Sequence, residues 1–258
     1  MEAVDPEREA RFYNEALNIV KWGEEVGIPF RLLGAIAVNY HCPQHRYLHE
    51  KMERIFTDID VVTYSKHRPQ MKKFFTDLGY TPQERLIASP AGQHRHIYWS
   101  EEKGWQVDVF FDALHMCHKV DFRGRLELDS PTITLADIIL EKMQIVEINL
   151  KDIKDTIILL LEHDVGDREE ETVNGVYISK VLSDDWGYYY TVTTNLKKVR
   201  AFLGEFDALT EENREVVSAR IDRLLTMIEE APKSFKWKAR ARIGTKAKWY
   251  NVVEEVYR

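Results

Sequence analysis

The stretch Arg54-Ile-Phe-Thr-Asp-Ile-Asp-Val-Val62 restricts the folds open to this chain more than any other. Its β-branched residues favour extended backbone. In a strand, residues two apart share a face. Asp58 and Asp60 therefore project side by side, while Ile59 and Val61 point the other way into apolar packing. Such a strand needs a sheet with one covered face and one face that tolerates adjacent negative charge. Two like charges so close raise each other's pKa unless a cation lies between them. Paired oxygen ligands suit Mg²⁺, which takes one or two carboxylates and leaves its other positions to water and phosphate. A solvated acidic face on an edge strand is the alternative, and the pair alone does not choose between them.

The neighbouring patterns supply the rest of that sheet. Phe12, Ala16, Ile19 and Val20 recur at helical spacing within residues 6–25, and Gly27 and Pro29 stop that helix. Residues 30–33 read as a short apolar strand, Gly34-Ala35 as a turn, and 36–40 as the opening of a helix. Residues 41–53 are polar and rich in His, and read as a loop or helix end. The strand 58–63 follows. Met71, Phe74, Phe75 and Leu78 place a helix over 67–78, closed by Gly79. Residues 94–99 and 105–111 alternate like paired strands around a hairpin turn at 100–104, and 126–128 reads as one more short strand.

From Thr132 onward the pattern is almost entirely helical. The expected helices are 134–148, 151–163, 176–183, 186–204, 210–230 and 245–257, with an acidic linker over 166–175. The reading is an α+β protein in two domains: a mixed-sheet domain over 1–129 and a helical domain over 130–258.

Composition bounds the function. With 258 residues, 44% of them apolar, the chain can bury a sizeable core, and its formal charge of −7 argues against wholesale coating of nucleic acid. Cys42 and Cys117 form no CxxC and no disulfide framework, which fits a reducing, cytoplasmic setting. The charged opening Met-Glu-Ala-Val-Asp-Pro-Glu-Arg gives no reason to expect a signal peptide. The longest near-continuous apolar run, 157–161, is too short to span a bilayer, so no membrane partner is expected.

Asp108 sits among apolar neighbours in Gln106-Val107-Asp108-Val109-Phe110. A buried carboxylate there needs a partner. A nearby Arg would supply one; a metal shared with Asp58 and Asp60 is the functional reading. Asp112, at the strand end, competes for the same role. Gly34 and Ala35, between a strand and a helix, allow backbone N–H groups to approach a phosphate. Lys142 shares a helical stripe with Leu135, Ile138, Ile139 and Val146, so it either snorkels to water or pairs with an anion. Asp155 is one turn from Lys151 and can pair with it.

Taken together, Gly34-Ala35, Asp58-Ile59-Asp60 and a separate Asp108 resemble the nucleotidyltransferase superfamily of the DNA polymerase β type. The Arg-x-x-x-Asp-Ile-Asp form that begins at Arg54 is similar to bacterial members of the abortive-infection toxin type (AbiEii-like). Leu135-Ala-Asp-Ile-Ile-Leu-Glu-Lys142-Met and Lys151-Asp-Ile-Lys154-Asp155 resemble two helices of that branch. The likeness covers roughly residues 30–163. Ala35 stands where the family has Ser or Gly, and the spacer from Gly34 to Asp58 is longer than usual.

The resemblance implies transfer of NMP from an NTP to an acceptor hydroxyl (RNA, protein or small molecule), with pyrophosphate released. It implies two Mg²⁺ ions on Asp58, Asp60 and Asp108, with Gly34, Ala35, Arg54 and Lys142 toward the nucleotide and Asp155 orienting Lys142 or the nucleotide. A catalytically weak nucleotide- or RNA-binding module with the same fold is the alternative.

Three further stretches carry chemistry of their own. His41-Cys42-x-x-His45-x-x-x-His49 gathers metal-binding side chains, but His115, Cys117 and His118 make an irregular second half for a zinc site, and histidines in a polar loop are the plainer reading. His94-Arg95-His96 opens the strand before Asp108, and one of its histidines facing the site is an option. Lys233, Lys236, Lys238, Arg240, Arg242, Lys246 and Lys248 lie among Phe235, Trp237 and Trp249 with no acid between them. This run over 233–249 either contacts RNA or docks on the acidic helical body with the tryptophans as anchors.

Overall fold

In a computed structural model, residues 6–252 are described, and they divide into two compact units. The first comprises the chain up to Tyr40, Ile55–Leu114 and Asp121–Ile133; the second comprises His41–Arg54, His115–Val120 and the chain from Thr134 onward. The main division thus falls between residues 133 and 134, but two excursions at 41–54 and 115–120 belong with the helices.

The first unit is built on a mixed sheet. Five strands follow one path through it: β1 (Arg31–Leu32), β2 (Asp58–Thr63), β3 (Thr81–Pro82), β4 (Arg95–Ser100) and β5 (Trp105–Phe111), in the spatial order β1-β2-β5-β4-β3. β2 and β5 run parallel, and the other neighbouring pairs are antiparallel. Beyond β1, Leu32 donates its N–H to Pro131 O (2.9 Å) and accepts from Ile133 N–H (3.0 Å), so residues 131–133 close that edge.

One face of this sheet is packed. Ile59 and Val61 of β2, Val107, Val109 and Phe111 of β5, and Tyr98 of β4 are buried against Phe12, Ala16 and Ile19 of the helix Pro6–Glu25 and against Met71 and Phe75 of the helix Arg68–Asp77. The strand period of two and the helical period of 3.6 select these same residues in the sequence. Phe75 stacks on Tyr98 at 4.4 Å between ring centroids, and Phe12 meets Trp105 edge-on at 5.4 Å. The Tyr80 hydroxyl accepts from Trp105 Nε1 (3.1 Å) and donates to Glu15 (2.9 Å), so the buried phenol is satisfied.

The second unit is mainly helical. Its main helices are Leu135–Met143, Leu150–Glu162, Gly175–Leu182, Trp186–Phe202, Glu211–Glu230 and Phe235–Ile243. Each starts at a side chain that accepts a backbone N–H of the first turn: Thr134, Asn149, Asn174, Asp185, Thr210 and Ser234. Among the described residues, no helix is long and apolar enough to cross a membrane.

Several expectations are corrected. Residues 126–128 form a turn, and the short strands near them are Ala113–His115 and Lys119–Asp121. The His-rich stretch contains a helix, Tyr47–Lys51. The stretch expected as an acidic linker begins and ends in short strands, Asp164–Gly166 and Thr172–Asn174, which pair in parallel. The helix expected over 134–148 stops at Met143 because Asn195 Nδ2 donates to the carbonyls of Met143 (3.0 Å) and Ile145 (2.7 Å). A helix lies at Phe235–Ile243; the helix expected over 245–257 is absent as far as residue 252, and its remainder lies outside the described residues.

Phe75, fully buried against Phe30, Tyr80 and Tyr98, is the keystone of the aromatic packing. Phe75→Ala is expected to destabilise the protein by about 3–5 kcal/mol, read from the shift of the urea midpoint.

Candidate active site

The register of β2 on β5 decides what the acidic pair can do. In this parallel ladder Asp58 is the partner of Gln106 and Asp60 is the partner of Asp108. Register partners point to the same face, as do residues two apart. Asp58, Asp60 and Asp108 therefore share one face, opposite the packed one. Neighbouring strands lie about 4.8 Å apart, so the Asp60 and Asp108 backbones are immediate neighbours. Asp58 and Asp60 are half-buried, and Asp108 is 1% exposed.

The antiparallel pairing of β4 extends both rows. Trp99 is the partner of Gln106, and Ile97 is the partner of Asp108. One row therefore reads Trp99, Gln106, Asp58, and the next reads Ile97, Asp108, Asp60. Arg95 lies on this same face. Its Nη2 donates to Asp108 Oδ2, while Gln106 Nε2 donates to Asp108 Oδ1 at 3.2 Å. The guanidinium also lies 5.4 Å from the centre of the Phe110 ring. Trp99 is 47% exposed.

Gly34 closes the site from the β1 side. Leu33 N–H donates to Asp60 O at 3.0 Å, and the helix Gly34–His41 starts at the next residue. Gly34 has φ +68°, and a Cβ there would sit 3.0 Å from Asp60 Oδ2. Glycine thus serves twice, for a left-handed backbone and for close approach to a carboxylate. A helix N-terminus beside Asp60 favours negative charge, whether of the carboxylate or of a phosphate. Ala35 packs on the apolar core, so its methyl group is directed to packing.

Other residues near the strands have different work. Asp112 has φ +60°, and its Oδ1 accepts from Ser65 N–H (2.9 Å), which fixes the turn after β5. His96 points to the packed face, edge-on to Phe111, with Nδ1 3.0 Å from the Tyr98 hydroxyl. Burial, with Arg68 adding to it, lowers its pKa to about 4. The side chain from this stretch that reaches the acidic face is Arg95. A register count back from the 101–104 turn would have found it.

Arg54, Lys142 and Asp155 meet inside the helical unit. Arg54 grips Asp155 with both arms, Nε to Oδ1 at 2.9 Å and Nη2 to Oδ2 at 3.0 Å. Lys142 Nζ donates to Asp155 Oδ2 (2.9 Å) and to Asp152 Oδ1 (3.0 Å). His49 Nε2 lies 3.6 Å from Asp155 Oδ1. All five side chains are buried. Burial by itself would push the Asp155 carboxyl up; Lys142, His49 and Arg54 outweigh it and hold it well below the usual carboxylate range. Burial likewise opposes the Lys142 ammonium, and Asp155 and Asp152 outweigh that and hold its pKa above the usual lysine value. The charge of Lys142 is thus balanced within the unit by two carboxylates.

The basic stretch 233–249 divides in two. Lys233 caps the end of the helix Glu211–Glu230 through the Ile228, Glu229 and Ala231 carbonyls. Arg240 lies over Trp186 at 4.8 Å and donates to the Gly244 and Ala247 carbonyls. Trp237 meets Tyr189 edge-on, and Trp249 Nε1 donates to Thr191. Lys236, Lys238, Arg242, Lys246 and Lys248 are exposed. His118 stacks on Tyr188, with Nε2 2.8 Å from Thr191 Oγ1, and takes no part in a cysteine–histidine cluster.

Compared with known proteins, the chain matches no family model and no curated protein.

The Asp155 network yields a test of its own. Removing one partner of a buried ion pair typically costs about 3–5 kcal/mol, and Lys142→Met and Arg54→Met are each expected to lose that much in urea unfolding. Because the Asp155 pKa is depressed in the folded state, its contribution is complete above the unfolded carboxylate value and falls away as pH drops below about 4. Wild-type stability should therefore decline across that acid range more steeply than that of Asp155→Asn.

Proposed function

We propose that this protein is a metal-dependent nucleotidyltransferase, which moves a nucleoside monophosphate from an NTP to an acceptor hydroxyl and releases pyrophosphate. The observation that supports this best is the common face of Asp58, Asp60 and Asp108, with the start of the Gly34 helix against Asp60. An all-oxygen donor set on two hydrogen-bonded strands fits Mg²⁺. When bound, Mg²⁺ would lower the pKa of the acceptor hydroxyl and offset charge on the triphosphate.

The chain's own residues divide the remaining work. Asp58 and Asp60 hold the ions. Asp108 joins them or takes the acceptor proton, and Arg95 and Gln106 fix its rotamer. Backbone N–H groups at Gly34 and Ala35 face the phosphates. Trp99, exposed in the Asp58 row, offers a ring for stacking a base. Arg54, Lys142 and Asp155 brace the helical unit.

One observation favours the second reading, a nucleotide- or RNA-binding module with little turnover. Asp108 is almost wholly buried, and each of its oxygens already receives a donor.

Incubation with each labelled NTP, Mg²⁺ and a panel of acceptors (total RNA, aminoglycosides, the protein itself) separates the two. Label uptake with pyrophosphate release, reduced about 10²–10³-fold in Asp58→Asn and Asp108→Asn, is the outcome expected of the enzyme. NTP binding with no uptake by any acceptor is the outcome expected of the module, and absence of NTP binding overturns both.

A further inference from the structure

The helical unit contains a second group of metal-binding side chains, unrelated to the carboxylate face. His41, at the end of the helix Gly34–His41, His163, just after the helix Leu150–Glu162, and Glu171 each offer one ligand atom, and these atoms lie within 4.8 Å of one another. His41 and His163 are 7% and 5% exposed.

The hydrogen bonding defines the state of His163. Its Nε2 lies 2.9 Å from the backbone carbonyl oxygen of His41. A carbonyl only accepts, so Nε2 carries a proton, and Nδ1 is the ring atom left to face Glu171. A ring N–H tied to a backbone carbonyl is the usual support of a metal-bound imidazole. Nδ1 in turn faces Glu171 Oε2 at 3.5 Å. An imidazole nitrogen and a carboxylate oxygen so placed can ligate one cation together. Two ligands on one tetrahedral Zn²⁺, with bonds of about 2.0–2.1 Å, sit about 3.4 Å apart.

The backbone gives a second, independent reason. The strands Asp164–Gly166 and Thr172–Asn174 pair in parallel, with Asp164 the partner of Thr172, so His163 and Glu171 adjoin at the next position. Parallel strands ordinarily need a crossover of a dozen or more residues; here residues 167–171 alone make it. The turn ends with Glu171 at φ +47°, a conformation that favours glycine. A tight, strained connection of this kind gains from a cross-brace between its two ends.

We propose that His41, His163 and Glu171 form a site for a divalent first-row transition metal, Zn²⁺ foremost, that braces the 163–172 turn. Two imidazoles and a carboxylate suit such an ion. Cys42, although adjacent, stands apart from the set, because its buried thiol donates to the Ile158 carbonyl. His45 and His49 are engaged with Glu162 and Asp155.

Tag-free, chelator-stripped full-length protein titrated with CoCl₂ and then ZnCl₂, in excess MgCl₂ to occupy the carboxylate face, tests this. The expected result is one equivalent of Co²⁺ with visible absorption bands, displaced by Zn²⁺, and a rise in Tm on adding ZnCl₂. Outer partners of a metal site alter affinity 10–100-fold, so loss of a direct ligand in Glu171→Gln or His41→Gln should weaken binding by at least about tenfold. The Glu171 side chain is 69% exposed, so Glu171→Gln keeps the fold. Lys73→Gln, a surface change outside both sites, should bind Co²⁺ as the wild type does. Failure of the wild type to bind either ion, or unchanged affinity in Glu171→Gln, overturns the proposal.

Discussion

The parallel pairing of β2 with β5 is the constraint on which the first unit depends. It is the one parallel pair among the five strands and lies at the middle of their order. Its register sends Ile59, Val61, Val107 and Val109 to the packed face and three carboxylates to the other. A slip of one residue would exchange the faces of every side chain on the strand. Burial of those apolar side chains, at roughly 1.5–3 kcal/mol each, makes that slip prohibitive. The acidic face is thus held in place by the apolar face, and the three carboxylates on one side are aligned by packing on the other.

The helical unit solves a different problem, that of keeping charge inside. Asp155 is completely buried yet receives two cations, one through a bidentate guanidinium. Lys142 in turn receives two carboxylates. Such a closed set satisfies most of its donors and acceptors, which is the condition under which buried charge is tolerated. It also ties the short helix Tyr47–Lys51, through His49, to the helix Leu150–Glu162, through Asp155.

Much of this was legible in the sequence. Period-two and period-3.6 patterns marked strand 58–63, strand 105–111 and helix 6–25 with their observed bounds, and the mixed α/β class followed from them. The acid pair and its shared side were readable because strand alternation is strict. Asp108's side was not, because it depends on a pairing between segments nearly fifty residues apart. Arg95 was missed for the same reason: its side follows from a hairpin register, while its more conspicuous neighbours were histidines. The Arg54–Asp155 and Lys142–Asp152 contacts were also invisible, since a lysine on an apolar stripe looks the same whether it pairs with a carboxylate or a phosphate. The short strands 164–166 and 172–174 were hidden by acidic residues that resemble a linker.

The division of the chain has a consequence for how it can be made and cut. Neither unit is one continuous piece: residues 41–54 and 115–120 group with the helices that begin at Thr134. During synthesis, therefore, the first half emerges before the helices with which two of its stretches group. No single truncation point yields either half intact, and an excised fragment ending near 133 would carry both stretches without the helices they group with.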